Sequence, residues 1–335
     1  MLRAEGKAVG DLVNVIESAY SREADTEAGW LARVASEVRS NLTESSGPLL
    51  AWTYHVRPDG FVELESVAEE PIGLAGRFLS FTFSDDAQAA LAQLHLTAGL
   101  DSVSRLLKPF SKTSSLLPYF DRALLSLGYP EMLGLNSVDA ARRGCMVALP
   151  TKSIARLRGA TYAQWARVSV HIAAGLRLSR KLSALPTAEP NTATADAILT
   201  PGGRVEHANG PATSRTARES LKAGARAVER ARGPLRRRDP LEAIEIWRGL
   251  VAGLWSLVDH FDTDGRRYLV AHRNDPTTPD PRALTERERQ VVAYADLGQS
   301  NKLIAYQLGL SVSTVAVLLA RAREKLLRIS GDGAK

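Results

Sequence analysis

Two rhythms of apolar and polar positions run along this chain and predict different elements in different places. Residues 9–20 and 30–42 place apolar side chains at helical spacing, the second with Leu31, Val34, Val38 and Leu42 on one face. Residues 49–56 are rich in strand formers, Asp59 and Gly60 make a favoured turn, and 61–67 alternates apolar with polar, which predicts a β-hairpin. Helices follow at 87–94 and 116–127. Two more strands, 132–137 and 144–149, flank a charged turn at Arg142 and Arg143. A long helix at 162–182 carries Trp165, Val168, Ile172, Leu176 and Ser179 along one stripe. Together these define an α+β domain over 8–182.

Residues 183–196 are rich in Ala, Pro and Thr, with Pro186 and Pro190 interrupting any helix, and read as a linker. A smaller module follows over 197–273: a strand, a Gly-Gly turn and a strand at 197–209, helices at 218–232 and 241–250, and a hairpin of 255–261 with 266–272 across Asp262, Thr263, Asp264 and Gly265. Three prolines in 274–281 make an extended spacer. The last segment, 282–330, is all helical. Thr285 with Glu288 three residues on can close a capping box. Gly298 ends that helix, Ser300 caps a short one through Asn301, Lys302, Ile304 and Leu308 to Gly309, and Ser311 or Ser313 starts a third with Val315, Leu319, Ala322 and Leu326 on one face.

A short helix, a Gly-containing turn and a longer helix with basic residues towards its end is the layout of a helix-turn-helix DNA reader. The stretch LTERERQVVAYADLGQSNKLIAYQLGLSVSTVAVLLARAREKL resembles the DNA-binding domain of the LuxR family of bacterial transcriptional regulators. Leu284, Thr285, Glu288, Val291, Gly298, Ser300, Asn301, Lys302, Ile304, Ala305, Gly309, Ser313, Thr314, Val315, Leu319 and Lys325 carry the likeness. The resemblance implies double-stranded DNA as partner. Lys302 would meet a phosphate, the hydroxyls of Ser313 and Thr314 would donate to the backbone, Ala316 and Val317 would face the bases, and Arg321 and Lys325 would extend the basic surface. At Ala316, Val317 and Leu318 the chain departs from the family's more polar pattern. The family's usual pairing helix is not seen after Gly331, so a homodimer is expected to form through another segment.

RRGCMVALPTKSIARLRGATYAQWARVSVHIAAGLRLSRKL resembles the last strand and exit helix of GAF sensory domains in such regulators, and AILTPGGRVEHAN resembles the opening of a PAS domain. The expected fold is therefore α+β and multidomain: a GAF-like sensor, a small PAS-like module and an all-α C-terminal domain. These likenesses do not supply a ligand, and the signal, small molecule or protein, stays open.

Charge sharpens this picture by its placement. The net charge is +6, yet 215–238 holds nine basic and two acidic residues and 282–328 holds eight and four, so the rest is net acidic. The first of these runs is either a solvated Arg-rich helix face or a surface for a polyanion. No apolar run approaches the roughly 18 to 20 residues of a membrane span, and the N-terminal stretch lacks a signal-peptide core of about 7 to 15 apolar residues. No membrane association and a cytoplasmic location are expected. The single cysteine, Cys145, excludes an internal disulfide and a Cys-rich metal site.

Candidate chemistry is sparse. The six histidines share no helical face that would hold a metal. Cys145 follows Arg142, Arg143 and Gly144, where cationic neighbours would lower its pKa as in a redox sensor, but its place in the apolar run 145–149 favours a buried strand residue instead. Trp52 and Tyr54 alternate on one strand, either as plain core or as walls of a ligand pocket with Phe61 or Phe81. The acids Glu69, Glu70, Asp85, Asp86, Asp262 and Asp264 read as turn caps. There is no phosphate loop or nucleophile elbow. No enzymatic role, cofactor or metal is expected.

The function expected is a transcriptional regulator in which a sensory N-terminal region governs a C-terminal DNA reader. The alternative is a protein-docking module that keeps the same helices but binds RNA polymerase or another regulator through Ala316, Val317, Leu318 and Ala320. Operator sequence and the choice between activation and repression are not encoded legibly.

Overall fold

The computed structural model describes residues 11–21, 26–42, 47–78, 85–112, 116–152, 159–184, 194–252, 254–276 and 284–332. Phe81 and most of both expected linkers lie outside the described residues. The chain packs as two compact units, one of Met1–Val138, Arg142–Thr187 and Arg230–Ile244, the other of Asp139–Ala141, Ala188–Glu229 and Glu245–Lys335.

In the first unit the elements run α1 (Leu12–Tyr20), α2 (Glu27–Leu42), β1 (Leu49–Val56), β2 (Val62–Glu70), α3 (Leu74–Phe78), α4 (Asp85–Leu96), β3 (Gly99–Ser102), α5 (Val103–Leu107), α6 (Leu116–Ser126), β4 (Glu131–Val138), β5 (Arg143–Thr151) and α7 (Gly159–Ser183). The five strands form one antiparallel sheet in the order β2-β1-β5-β4-β3. Successive residues of a strand face opposite sides, and β1 uses both. Trp52 and Tyr54 reach α4 on one side, while the Thr53 hydroxyl donates to Glu27 of α2 on the other at 2.5 Å. The strand is therefore buried on both faces.

Glu27 sits in a further polar cluster. Arg180 of α7 donates to both of its oxygens, at 2.8 and 2.9 Å, and also pairs with Glu65 of β2, which Arg143 of β5 reaches at 2.7 Å. Burial pushes the Glu27 carboxyl upward, but the hydrogen bonds from Arg180 and Thr53 outweigh it and leave it below the usual range. β3, α3 and α5 are absent from the sequence expectation. The four residues of β3 are too few to show alternation, and its place is set by pairing with β4, Leu100 opposite Leu135.

The second unit contains β6 (Ala197–Leu199), β7 (Val205–Ala208), α8 (Arg215–Arg230) up to Glu229, and the later strands β8 (Trp255–Phe261) and β9 (Arg267–Arg273). Their antiparallel sheet has the order β7-β6-β9-β8. Leu221, Gly224, Ala225 and Val228 bury one face of α8. Non-helical Gly233 and Pro234 then break the helical path before α9 (Arg236–Arg238) and α10 (Pro240–Ala252). The stretch Arg230–Ile244 belongs to the first unit, where Arg232 reaches Glu17 at 2.6 Å and Arg236 reaches Asp11 at 2.8 Å. The second unit ends in α11 (Glu286–Asp296), α12 (Asn301–Leu308) and α13 (Val312–Asp332). No single helix among the described residues is long and apolar enough to cross a membrane.

Close approach of α1 to α7 depends on Gly175. A methyl group there would lie 2.5 Å from the Ala19 carbonyl oxygen, and backbone cannot swing aside as a flexible side chain can. Gly175→Ala is expected to destabilise the first unit by about 1–3 kcal/mol, read as a lower urea midpoint. An unchanged midpoint would show that the two helices separate without cost.

Candidate nucleic-acid interface

The C-terminal helices are delimited by caps that the local sequence dictates. The Thr285 hydroxyl accepts from the Glu288 amide at 3.3 Å, and the Glu288 carboxylate accepts from the Thr285 amide at 2.8 Å, closing the capping box in both directions. After α11, Gly298 takes φ +73, the Gly298 amide reaches Ala295 O and the Gln299 amide reaches Tyr294 O, a left-handed helix stop that a Cβ would disfavour. The Ser300 hydroxyl caps α12 by accepting from the Leu303 amide, and Gly309 ends it in the left-handed region. For α13 the two alternatives resolve to Ser311, whose hydroxyl accepts from the Thr314 amide at 3.0 Å.

Between α12 and Val312–Leu326 the chain bends by 103°, within the range of about 90–120° for helix-turn-helix pairs. Val315, Leu319 and Ala322 are buried and hold α13 against its neighbours, as the apolar spacing predicts. Ser313, Ala316, Val317, Ala320 and Arg321 are consequently exposed, with Val317 47% accessible. The Ser313 and Thr314 hydroxyls each lie 2.7 Å from the Ser311 hydroxyl at the open start of the helix. Lys302 on α12 is exposed, and neither it nor Arg321 has a side-chain partner among the described residues.

Lys325 has a different setting. Its ammonium group donates to both oxygens of the buried Glu288 carboxylate, at 2.9 and 2.7 Å. That bond, with the Thr285 amide, holds the Glu288 carboxyl down at about 2. Lys325 thus joins α11 to α13, while its side chain stays partly exposed. Arg323 was not singled out from the sequence, yet it is exposed and without a partner among the described residues. Its signal was present, since it stands seven residues after Ala316 and three after Ala320 on the same helical stripe. Val312, half exposed, adds an apolar edge at the start of the helix.

With these helices in view, the family comparison falls on the same segment. Residues 282–328 match the family model of bacterial regulatory proteins of the luxR family. The C-terminal domain is a LuxR-type helix-turn-helix. No curated protein sequence matches the chain. The LuxR-type domain supports a DNA-binding regulator of transcription, and its long third helix is the element that presents a continuous exposed face.

Burial decides between the readings of the other candidate residues. Cys145 is enclosed, and burial pushes its thiol up to about 12 with only partial opposition from Arg180, so it does not present the thiolate a redox sensor needs. Arg142 lies in the turn at φ +59 and Arg143 is held by Glu65, which is why their sequence proximity does not activate the sulfur. Trp52 donates to His95 Nε2 at 2.9 Å, and His95 Nδ1 lies 2.8 Å from Leu91 O. The Tyr54 hydroxyl lies 2.6 Å from both the His95 carbonyl oxygen and Asn136 Oδ1. Burial brings His95 down to about 4, leaving it neutral. Trp52 and Tyr54 are thus buried, hydrogen-bonded core among the described residues, whereas Phe61 is 46% exposed. Glu69 caps the amides of Gly73 and Ala75, and Asp262 those of Asp264 and Arg266, as turn acids should. Among the described residues no three His, Cys, Asp or Glu side chains gather as metal ligands.

The Glu288 clamp has a definite pH signature. Its folded carboxyl titrates near 2 against an ordinary 4.5, so its stabilisation is fully present above pH 4.5 and disappears as pH falls through about 2. Glu288→Gln retains an acceptor for the cap but loses the ion pair. Thermal melting of wild type and variant should differ at neutral pH and converge between pH 4.5 and 2. A gap that does not change with pH would overturn the assignment.

Proposed function

We propose that this chain is a DNA-binding transcription regulator in which GAF-like (8–182) and PAS-like (197–273) regions sense a signal and govern the LuxR-type domain over 282–330. The observation that carries DNA binding is the exposed face of α13 with Lys302, Arg321 and Arg323 unpaired around it. Cations that have no acid of their own are available to phosphates, whereas the Lys325 ammonium is already engaged by Glu288. Ser313 and Thr314 supply hydroxyls at the helix start, and Ala316 and Val317 offer methyl contacts to thymine.

The sensory assignment is supported by the layout of the first unit, an antiparallel sheet of two hairpins and one short strand followed by the exit helix α7, and by the separate β6–β9 sheet. We further propose that the protein acts as a homodimer in the cytoplasm and touches RNA polymerase when it activates. No catalytic role is assigned to either sensory region.

A second function has its own support in the apolar part of the same face. Val312, Ala316, Val317 and Ala320 lack the polar reach of a rich base-reading set, so this surface also suits docking to protein. Salt separates the two. Phosphate binding weakens linearly in log salt with a slope of about 0.9 per contact. Lys302→Ala should therefore weaken binding to all duplexes alike and reduce that slope by about 0.9. Absence of duplex binding at low salt would favour protein docking, and selective loss on one sequence would show that Lys302 does not meet a phosphate.

A further inference from the structure

The second unit holds a groove of about 560 Å³ between the β6–β7 turn and α8. Its walls bring together Arg204, Arg215, Arg218, Lys222 and Arg226, against one acid, Glu219. The four cations of α8 recur at intervals of three and four residues alongside its buried face, so they form one stripe. The turn rests directly on that helix. Gly203 has φ +85, and a Cβ there would lie 2.8 Å from the Lys222 carbonyl oxygen, an approach open to glycine alone.

Pairing divides these charges. Arg204 is held by Glu206 at 2.6 Å and Arg215 by Glu219 at 3.1 Å, while Arg226 donates to Gly202 O at 3.0 Å. Arg218 and Lys222 have no side-chain partner among the described residues. Like charges four residues apart on a helix repel, so Arg218, Lys222 and Arg226 leave a local excess of positive potential directed into a concavity. The volume lies within the roughly 300–1,000 Å³ of small-ligand sites. No aromatic side chain lines it, so there is nothing on which to stack a base. Guanidinium groups match phosphate oxygens two at a time.

We propose that this groove binds a compact oligophosphate, contacted through its phosphates by Arg218, Lys222 and their cationic neighbours. The site shares no residue with the DNA-reading face and gives the small module a ligand class of its own. Concavity favours such an anion over the wide, continuous backbone of a duplex.

Sodium pyrophosphate titrated calorimetrically into the full chain, with chloride matching ionic strength, tests the site. Saturable one-site binding is expected, weakened at least about tenfold in the Arg218→Ala/Lys222→Ala double variant through loss of charge-assisted contacts. Lys302→Ala should bind pyrophosphate as wild type does, which separates this groove from the DNA face. Both groove side chains are exposed, and near-ultraviolet circular dichroism checks that the double variant keeps its fold. If it does not, Arg218→Gln and Lys222→Gln carry the same comparison singly. The proposal is overturned by absence of saturation at millimolar pyrophosphate, by equal affinity in wild type and variants, or by variants that lose only duplex binding, which would assign the groove to DNA.

Discussion

A carboxylate enclosed between the first and third helices of the C-terminal domain must find its hydrogen bonds inside the fold, and Glu288 finds them in Thr285 and Lys325. A buried charge left without partners is expensive, whereas one that is both paired and hydrogen-bonded can be retained. The geometry has a directional consequence. Glu288 is fixed to the start of α11 by the capping box, so Lys325 fixes the rotation of α13 about its own axis. The apolar contacts of Val315, Leu319 and Ala322 hold the same side of that helix inward. What remains outward is the Ser313, Ala316, Val317, Ala320 stripe. The outward stripe is thus set by packing and pairing on the inner side of the helix.

The elements legible in the sequence are those governed by neighbours a few residues away. Thr285 with Glu288, Gly298 with Ser300, and Gly309 with Ser311 each act within one helical turn, and all are realised. The hairpin β8–β9 was similarly visible because its turn and flanking strands are contiguous. Lys325 was read by its charge alone, since its partner lies 37 residues away on another helix. β3 escaped for a related reason: four residues show no period, and only pairing with β4 makes them a strand. The cluster of Glu27, Glu65, Arg143 and Arg180 joins four elements and leaves no local trace. Arg323 is the opposite case, since helical periodicity alone places it on the stripe of Ala316 and Ala320.

Counting charge along the sequence marks where polyanions could meet the chain, but pairing decides which cations remain available. Arg180, Arg232 and Arg236 are engaged by acids in the first unit, and Arg267 by Glu229 and Asp259 in the second. The basic run 215–238 is accordingly not one surface. Arg232 and Arg236 are held internally, while Arg218 and Lys222 face the groove beside the β6–β7 turn. The solvated Arg-rich face of α8 is therefore also the wall of a concavity.

On α13 the same distinction bears on how a helix with so few polar side chains could recognise a duplex. Ala316, Val317 and Ala320 cannot reach phosphates or form bidentate bonds to base edges, so the attraction must come from cations at the margins of the face. Lys302 approaches from α12, and Arg321 and Arg323 lie further along α13. Three cations release few counterions, and nonspecific binding in this regime is typically weak, with dissociation constants of about 10⁻⁴–10⁻⁶ M at physiological salt. Small side chains nonetheless allow the helix to lie close to the groove floor, where methyl contacts and the deformability of the duplex can discriminate sequence without polar readout. Such a surface supplies shape before it supplies affinity. Joining two copies on neighbouring half-sites makes the second contact intramolecular and raises affinity without adding a side chain to either face, which is the physical advantage a homodimer would bring.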